Sequence, residues 1–301
     1  MRRLPARPVR LLLLLCLLPA SAFAQSGAPL RQDSGQAVGV RAAGMGGAFT
    51  AVADDGSAAF WNPAGFASGS FFSLVVDGNV LDRQSGVLVA LGTPPLGLSY
   101  YRTAIAREKN GRNTLVAHHA GVSLVQSLGG RLALGTTLKV VHGIAAPLGG
   151  AAGAAVASNK FDADVGVMAT GSLAQLGLSI RNLLQPEFTT PGGAIRLDRR
   201  VRAGVSIHAG QDTTVAADLD LTTATTPRGD WRDAALGLET HPGRNAWVRG
   251  GVHWNTAGSA APIGTIGASY AVYGATKADA QISFGSSNGD RGWGIGLRFV
   301  F

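Results

Sequence analysis

The strongest constraint on this chain is a two-residue periodicity that recurs in segments of about ten residues. It is clearest in residues 291–301, where large apolar residues share one face and small or charged residues share the other. Residues 279–284, 215–222 and 200–208 repeat the pattern. Successive side chains of a β-strand point to opposite faces, so the pattern predicts an all-β protein. Alternation alone does not separate a membrane barrel from a soluble sandwich.

The number and length of these segments favour the barrel. There are about fourteen, an even number, and about ten residues suffice to cross a bilayer when the strand is tilted. The predicted strands begin near Phe72, Gly86, Gly97, Thr114, Arg131, Lys160, Gln175, Arg196, Thr213, Arg232, Ala246, Gly264, Ala278 and Arg291.

The connections between the segments alternate in length. Short ones lie at 93–95, 128–130, 171–173, 210–212, 241–245 and 274–276. Mostly longer ones lie at 81–84, 108–113, 147–159, 186–194, 225–230, 256–262 and 286–290. This asymmetry is typical of outer-membrane barrels, whose periplasmic turns are short. We therefore predict a transmembrane antiparallel β-barrel of about 14 strands over residues 71–301, with both ends in the periplasm.

The N-terminus predicts export. A basic stretch, an apolar run at 11–18 and the small residues Ala22 and Ala24 indicate a signal peptide over residues 1–24. Cys16 would be the lipidated residue of a lipoprotein, but Leu15 stands where a small residue is expected before it. We therefore favour an ordinary secretory signal that is removed after residue 24. The mature chain then has no cysteine, which excludes disulfides and thiolate metal sites.

Charge and hydropathy exclude two further classes. The formal charge of +8 includes four signal arginines, which leaves +4 for the mature chain. That balance is a weak argument for a nucleic-acid partner, and export argues against one. No later apolar run approaches the length of a membrane helix, roughly 18 to 20 residues. We expect no cofactor, no metal and no enzymatic activity.

Residues 25–70 predict a plug, or hatch, ahead of the first strand. Glycines 44, 46 and 47 permit close backbone approach, and Pro63 ends regular structure beside Trp61. The stretch lacks the lysine of a phosphate-binding loop. Its adjacent carboxylates resemble a turn or cap more than an acid/base pair. The predicted hatch or gating residues are Gly44, Gly46, Gly47, Asp54, Asp55, Trp61, Asn62, Pro63 and Ala64.

The same residues carry a family resemblance. Residues 44–49 (GMGGAF), 53–58 (ADDGSA) and 61–65 (WNPAG) resemble the N-terminal hatch of the FadL/PorV superfamily of outer-membrane barrels, including its Asn-Pro-Ala signature. Residues 176–183 and 248–254 are similar to the PorV-like branch. The resemblance implies a fourteen-stranded barrel with a periplasmic hatch in the outer membrane of a Gram-negative-type bacterium.

The resemblance leaves two functions open. One is a passive, hatch-gated conduit for hydrophobic small molecules. The other is a non-conducting accessory barrel that anchors or shuttles protein cargo of type IX secretion. Fatty acid is not carried over as the substrate, because no loop is long enough to form the external groove of such channels. A conduit predicts an apolar cavity beneath residues 62–64, whereas an anchor predicts a lumen filled by charge pairs.

The strand phases predict a charged lumen. A hairpin about residues 210–212 places Arg202 opposite Asp220, which predicts an ion pair between them. Ser206, His208 and the aspartates of this face would also allow a hydrolase triad, which we regard as a chance recurrence. His118 and His119 are adjacent on one strand and therefore cannot share a metal. The predicted charge network comprises Asp162, Asp164, Arg200, Arg202, Asp218, Asp220, Arg249 and Arg298, with Lys160 and His253 on the same faces.

The C-terminus predicts the remaining partners. Alternating residues that close on a C-terminal phenylalanine resemble the signal read by the barrel-assembly machinery. The residues concerned are Trp293, Leu297, Phe299 and Phe301. The two-residue alternation predicts that Trp293, Phe299 and Tyr270 face outward, toward outer-membrane lipid. It predicts that the side chain of Trp247 faces inward.

Overall fold

A computed structural model describes residues 30–31, 38–81, 84–106, 113–147, 153–226, 229–285 and 291–301. The predicted signal peptide and residues 25–29 and 32–37 of the predicted hatch lie outside these residues. Ahead of the barrel come β1 (Leu30–Arg31), α1 (Val40–Gly44), α2 (Ala58–Trp61) and a 3-10 helix at Pro63–Ala67. No helix within the described ranges is long and apolar enough to cross a membrane.

Fourteen antiparallel strands form a closed barrel, as predicted. The last strand pairs with the first, so no edge is left open. The barrel strands are β2 (Ser73–Leu81), β3 (Gln84–Thr93), β4 (Leu96–Ala106), β5 (Asn113–Leu128), β6 (Leu132–Ala145), β7 (Val156–Thr170), β8 (Ala174–Arg181), β11 (Arg200–His208), β12 (Thr213–Asp220), β15 (Asp233–Thr240), β16 (Ala246–Asn255), β17 (Ile263–Tyr273), β18 (Thr276–Gly285) and β19 (Gly292–Val300).

Two predicted starts are displaced by four residues. β7 begins at Val156 rather than Lys160, and β11 begins at Arg200 rather than Arg196. The second displacement has a structural cause, because the extended residues near 196 belong to a separate hairpin, β9 (Glu187–Thr190) and β10 (Gly193–Arg196). β1 pairs with β10, and β13 (Ala224–Thr226) pairs with β14 (Gly229–Trp231).

The two ends of the barrel differ. Tight connections join β3 to β4, β5 to β6, β7 to β8, β11 to β12, β15 to β16 and β17 to β18 at what we call the short-turn end, where β2 begins and β19 ends. The other connections form the long-loop end, which carries both small hairpins. The predicted alternation of short and longer connections is therefore present.

The outer wall is apolar, and the inner wall is mostly polar or small, with buried apolar residues such as Leu88, Leu115 and Val141 among them. Large side chains such as Leu236, Ile266 and Trp293 are about half exposed, while their neighbours along each strand are buried inside. Contiguous exposed apolar surface on this scale marks contact with a membrane rather than with water. Residues 38–67 lie inside the wall and are almost entirely buried.

Candidate functional site

The first part of the hatch is a helical turn closed by glycines. α1 ends at Gly44, and Gly46 (φ 66°) and Gly47 (φ 79°) adopt the left-handed conformation that favours glycine. A Cβ on Gly46 would lie 2.7 Å from the backbone nitrogen of Val252 in β16. The predicted need for close backbone approach is therefore met by the barrel wall itself.

Asn62 joins the second part of the hatch to the wall. Its side-chain NH₂ donates to the carbonyl of Thr50 at 2.8 Å and to that of Val167 in β7 at 3.1 Å. Its Oδ1 accepts from the backbone N–H of Ala64 at 3.2 Å, which caps the 3-10 helix, and Pro63 occupies the first helical position. The buried Asn-Pro-Ala segment thus fixes hatch to hatch and hatch to barrel.

Glycines of the wall receive the hatch. Added side chains at Gly251 or Gly166 would overlap hatch atoms, those of Met45 in the first case and of Asn62 and Pro63 in the second. The inward face therefore has gaps where the hatch backbone fits against the strands. The wall glycines whose Cβ would meet the hatch are Gly92, Gly97, Gly135, Gly166, Gly177, Gly204, Gly237, Gly251 and Gly267.

Arg202 stands at the centre of one charge cluster. Its guanidinium contacts Asp220 at 2.8 Å, as the hairpin register predicted, and also Asp218 at 2.9 Å and Asp233 at 3.1 Å. It also donates to the carbonyl of Gly47 at 3.0 Å. Because it is only 3% exposed, these partners replace the water that the charge has lost.

Asp218 holds the hatch backbone in the same cluster. Its carboxylate accepts from the N–H groups of Phe49 and Thr50 at 3.1 and 2.9 Å. The Ser206 hydroxyl donates to the carbonyl of Ala51 at 3.0 Å. Short hatch turns cannot satisfy their own backbone groups, so wall side chains do so.

Arg41 of the hatch leads a second cluster, at the short-turn end. It contacts Glu239 of β15 at 2.7 Å, Asp55 at 3.1 Å and Asp54, which is half exposed. Burial lowers the pKa of Arg41, but Asp54 and Glu239 outweigh it and raise that pKa well above its ordinary value. Burial raises the pKa of Asp55, but Arg41 and Arg298 hold it below its ordinary value. Asp55 accepts a hydrogen bond from the Ser57 backbone N–H at 2.9 Å, as a turn or cap residue does, but it is a buried ion-pair partner and not solvated.

Further wall residues complete this second cluster. Arg298 contacts Asp55 at 3.2 Å and Asp279 at 3.0 Å, and Arg249 contacts Asp279 and Glu239. Beside them a polar cleft of about 300 Å³ opens at the short-turn end. Trp247 lines this cleft, as its inward phase predicted, with the ammonium of Lys277 3.7 Å from its ring centroid.

The other side of the hatch is aromatic. Phe60 packs edge-to-face on Trp61 and on Tyr101 of β4, with centroids 5.4 and 5.3 Å apart. The guanidinium of Arg181 lies 4.1 Å above the Phe60 ring. The hatch therefore meets charges on β11–β19 and mainly apolar or aromatic groups on β4–β7.

Lys139, which was not among the predicted charge-network residues, lies between the predicted Asp162 and Asp164. Its ammonium lies 2.7 Å from Asp164, 3.2 Å from Asp162 and 3.3 Å from the Tyr101 hydroxyl. The two-residue phase of β6 places Lys139 inward and would have revealed it. Glu239, Asp233, Asp77 and Asp279 were likewise missed, although each lies on the inward phase of its strand.

The remaining residues predicted from the sequence lie in different parts of the barrel. Lys160 is exposed near the long-loop end of β7, while His253 is buried and contacts Asp233 at 3.2 Å. Phe301 exchanges backbone hydrogen bonds with Phe72, and their rings touch. Trp293, Leu297 and Tyr270 face outward, as predicted, and Phe299 is partly buried.

The described residues assemble neither the hydrolase triad nor a metal site at the adjacent histidines. The Ser206 hydroxyl is directed to Ala51, and His208 pairs with Thr214, so the possible triad is not assembled. His118 and His119 lie on opposite faces of β5, one against Tyr100 and the other against Tyr101. Within the described ranges, no cluster of three or more His, Cys, Asp or Glu residues could hold a metal ion.

Comparison with solved structures places the fold. The CymD monoaromatic hydrocarbon channel superposes with a TM-score of 0.65 at 15% identity, covering 88% of this chain and 97% of that one. The Ralstonia pickettii toluene transporter TbuX gives 0.63 at 15% identity, over 88% and 99%. A Pseudomonas aeruginosa FadL homologue gives 0.57 at 11% identity, over 92% and 100%. The chain has the fold of the FadL-type outer-membrane barrels.

No family model matches the chain, and no curated protein matches its sequence. Of the structural neighbours, CymD is described as a monoaromatic hydrocarbon channel and TbuX as a toluene transporter.

Proposed function

We propose that this chain is a passive conduit that lets uncharged hydrophobic small molecules cross the outer membrane, and that its hatch gates the passage. It acts without enzymatic chemistry, since the solute moves down its own gradient by partitioning. The short-turn end, with the polar cleft, faces the periplasm, and the long-loop end faces outside.

The observation that carries this proposal is an apolar patch inside the lumen. At the long-loop end of β5 and β6, the inward residues are Leu115, Ala117, Val141 and Ala145, all buried. A water-filled pore is lined by polar groups, so inward apolar side chains support an apolar solute. The hydrophobic cargo in the names of the structural neighbours, which share this fold, supports the same class.

The hatch supports the gating part of the proposal. Residues 38–67 occupy the short-turn half of the lumen and contact strands around the wall, so a solute entering from the other end meets them. Ala64, Ala133 and Met168 form a small apolar cluster beside Asn62. The solute would pass where hatch and wall meet through apolar contacts rather than through ion pairs.

Uptake of N-phenyl-1-naphthylamine by intact cells tests the proposal. This dye fluoresces in an apolar environment, and the lipopolysaccharide leaflet slows its entry. The host is a Gram-negative strain that lacks its own FadL-type barrel. Uptake is compared among cells with the intact chain, cells with Asn62-Pro63-Ala64 replaced by Gly-Ser-Gly, and cells with the exposed Ala257-Gly258-Ser259 replaced in the same way.

A conduit gives uptake several-fold above that of cells without the barrel. Altering the hatch changes that rate, and altering the exposed loop does not. Background uptake from all three variants, each confirmed as a folded barrel by heat modifiability, would refute the conduit. It would direct the search to the alternative, an accessory barrel for secreted protein cargo, which the charge-filled half of the lumen would suit.

A further inference from the structure

The hairpin formed by β9 and β10 turns into the lumen at the long-loop end. Its base is closed by a hydrogen bond from the Leu197 N–H to the Pro186 carbonyl at 3.0 Å. Its tip, at residues 191–192, includes Gly192 with φ 85°. Thr190 reaches the wall, with its hydroxyl 3.5 Å from the carbonyl of Ala145. An element that the sequence predicts as a plain loop therefore covers the inner wall.

Phe188 of this hairpin fills a pocket in the wall. The side chain is 1% exposed, and its ring rests on Gly143 of β6. A Cβ on Gly143 would overlap three ring carbons, the farthest of them 2.7 Å away. The ring therefore occupies the space of a missing wall side chain. The other apolar residues of the cluster are Leu115, Ala117, Val141, Ala145, Ile195 and Leu197.

We propose that the pocket filled by Phe188 is a binding site for one uncharged, ring-sized apolar molecule, and that Phe188 is its built-in competitor. The molecule binds when the hairpin swings out and withdraws the ring. This inference rests on the proposed function, since it names the entry site of that conduit. It assigns the hairpin the role of an outer gate, distinct from the hatch.

The size and chemistry of the pocket select its ligand. A phenyl ring already fits there, and an apolar protein cavity of roughly 150 Å³ stays dry and accepts benzene. The residues that pack around Phe188 in this cluster are apolar, so a ligand group placed among them loses its hydration and binds best when it is uncharged. The site thus favours a monocyclic aromatic or a compact alicyclic molecule over a fatty acid.

The base of the hairpin is held more firmly than Phe188. Ahead of the hairpin, the Leu184 N–H donates to Asp162 at 3.0 Å, and the Asn182 N–H donates to Asp164 at 2.8 Å. Both carboxylates are paired with the buried Lys139. The hairpin can therefore pivot at a fixed base: Phe188 is held by apolar contacts and Thr190 by one long bond, while β1, which pairs with β10, moves with the hairpin or is released from it.

Competition makes a measurable prediction. If Phe188 fills the site most of the time, a ligand can bind only during the fraction of time that the site is free. The apparent affinity is then the intrinsic affinity multiplied by that fraction. Removal of the ring should therefore tighten binding. We expect Phe188→Ala to bind fluorobenzene at least tenfold more tightly than the unaltered chain, measured by fluorine NMR on the full mature barrel in detergent micelles.

Two variants control this measurement. Phe161→Ala removes an exposed phenylalanine from β7, so it should bind like the unaltered chain and correct for partition into the micelle. Phe188→Ala combined with Gly143→Phe fills the vacated space from the wall and should lose the added affinity. Equal binding by the Phe188→Ala variant and the unaltered chain, or retained binding by the double variant, would overturn the inference.

A cross-link tests the same competition without emptying the pocket. Thr190→Cys and Ala145→Cys, joined by a short bis-maleimide, should pin Phe188 in its seat and weaken fluorobenzene binding at least tenfold. This arm remains decisive if Phe188→Ala does not fold, and unchanged binding would refute the competition. Both binding arms are independent of transport, so absent dye uptake would reject the conduit while leaving the pocket to be judged by NMR.

Discussion

Two adjacent glycines of β16 allow a sharp test of how the wall holds the hatch. Gly251 faces inward, and a Cβ there would overlap the backbone of Met45 and Gly46. Gly250 faces outward, and a Cβ there would meet nothing within 4 Å. The substitutions Gly251→Ala and Gly250→Ala therefore add the same methyl group to the same strand, and only the first one strikes the hatch.

The cost of Gly251→Ala follows from this contact. Carbon atoms normally pack at about 3.5–4.0 Å, so the hatch backbone would have to retreat by about 1 Å or more. Gly46 has little freedom to do so, because it lies so close to the wall that a Cβ on it would be 2.7 Å from the backbone nitrogen of Val252. Overpacking of this kind costs about 1–3 kcal/mol. Gly250→Ala should be neutral or slightly stabilising, because alanine restricts the unfolded chain.

The assay combines urea unfolding in detergent micelles with labelling of a cysteine placed at Thr50, a buried hatch residue. We expect Gly251→Ala to lower the free energy of unfolding by about 1–3 kcal/mol relative to Gly250→Ala. We also expect a water-soluble maleimide to label the hatch cysteine at least tenfold faster. Equal unfolding midpoints with equal protection of that cysteine would refute close contact between hatch and wall.

Three further predictions test the charge clusters and the outer wall. Arg202→Met leaves three buried carboxylates without their shared partner and should lower the free energy of unfolding in urea by about 3–5 kcal/mol. Arg199→Met, at an exposed arginine, should change it by no more than about 0.5 kcal/mol. Equal losses would refute the stabilising role of the Arg202 cluster. The lowered pKa of Asp55 means that its stabilising effect is complete above the ordinary value, about 4, and is lost as pH falls through the lower folded value. The free energy of urea unfolding, taken relative to an Asp55→Asn variant, should therefore be constant from about pH 7 to 5 and fall only below about pH 4, and a fall already at pH 6 would contradict this sign. Leu236→Arg, on the outer face of the barrel, should cost about 2–4 kcal/mol in refolding into lipid vesicles, and Ser259→Arg, in an exposed loop, should cost almost nothing.

The barrel could be predicted from the sequence because its wall is periodic. Each strand repeats the same inside and outside faces, and tight turns at the short-turn end fix the neighbouring register. The pairing of Arg202 with Asp220 needed only the turn between them and the two-residue phase. Errors arose where extended residues lie outside the wall, as in Gly193–Arg196 of the small hairpin.

The contacts of the hatch could not be predicted in the same way. Asn62 pairs with Val167, 105 residues later, and no local pattern encodes that separation. The inward glycines were visible as small residues, but only the folded barrel shows which of them receive hatch atoms. Phe188 was hidden for the same reason, since its seat at Gly143 becomes apparent only when β6 and the hairpin meet.

The division of the lumen limits how the proposed gate can work. On the β11–β19 side, the hatch is fixed by buried ion pairs and by carboxylates that accept its backbone N–H groups. Such contacts are directional, and breaking one costs several kcal/mol because an unpaired charge stays buried. On the β4–β7 side, Phe60, Ala64 and Phe66 meet the wall largely through nonpolar contacts, which lose little when surfaces slide. In the proposed gate, a hatch that opens without unfolding therefore parts from the wall on the β4–β7 side, where Asn62 gives up its hydrogen bond to Val167, and this is also the side of the Phe188 pocket.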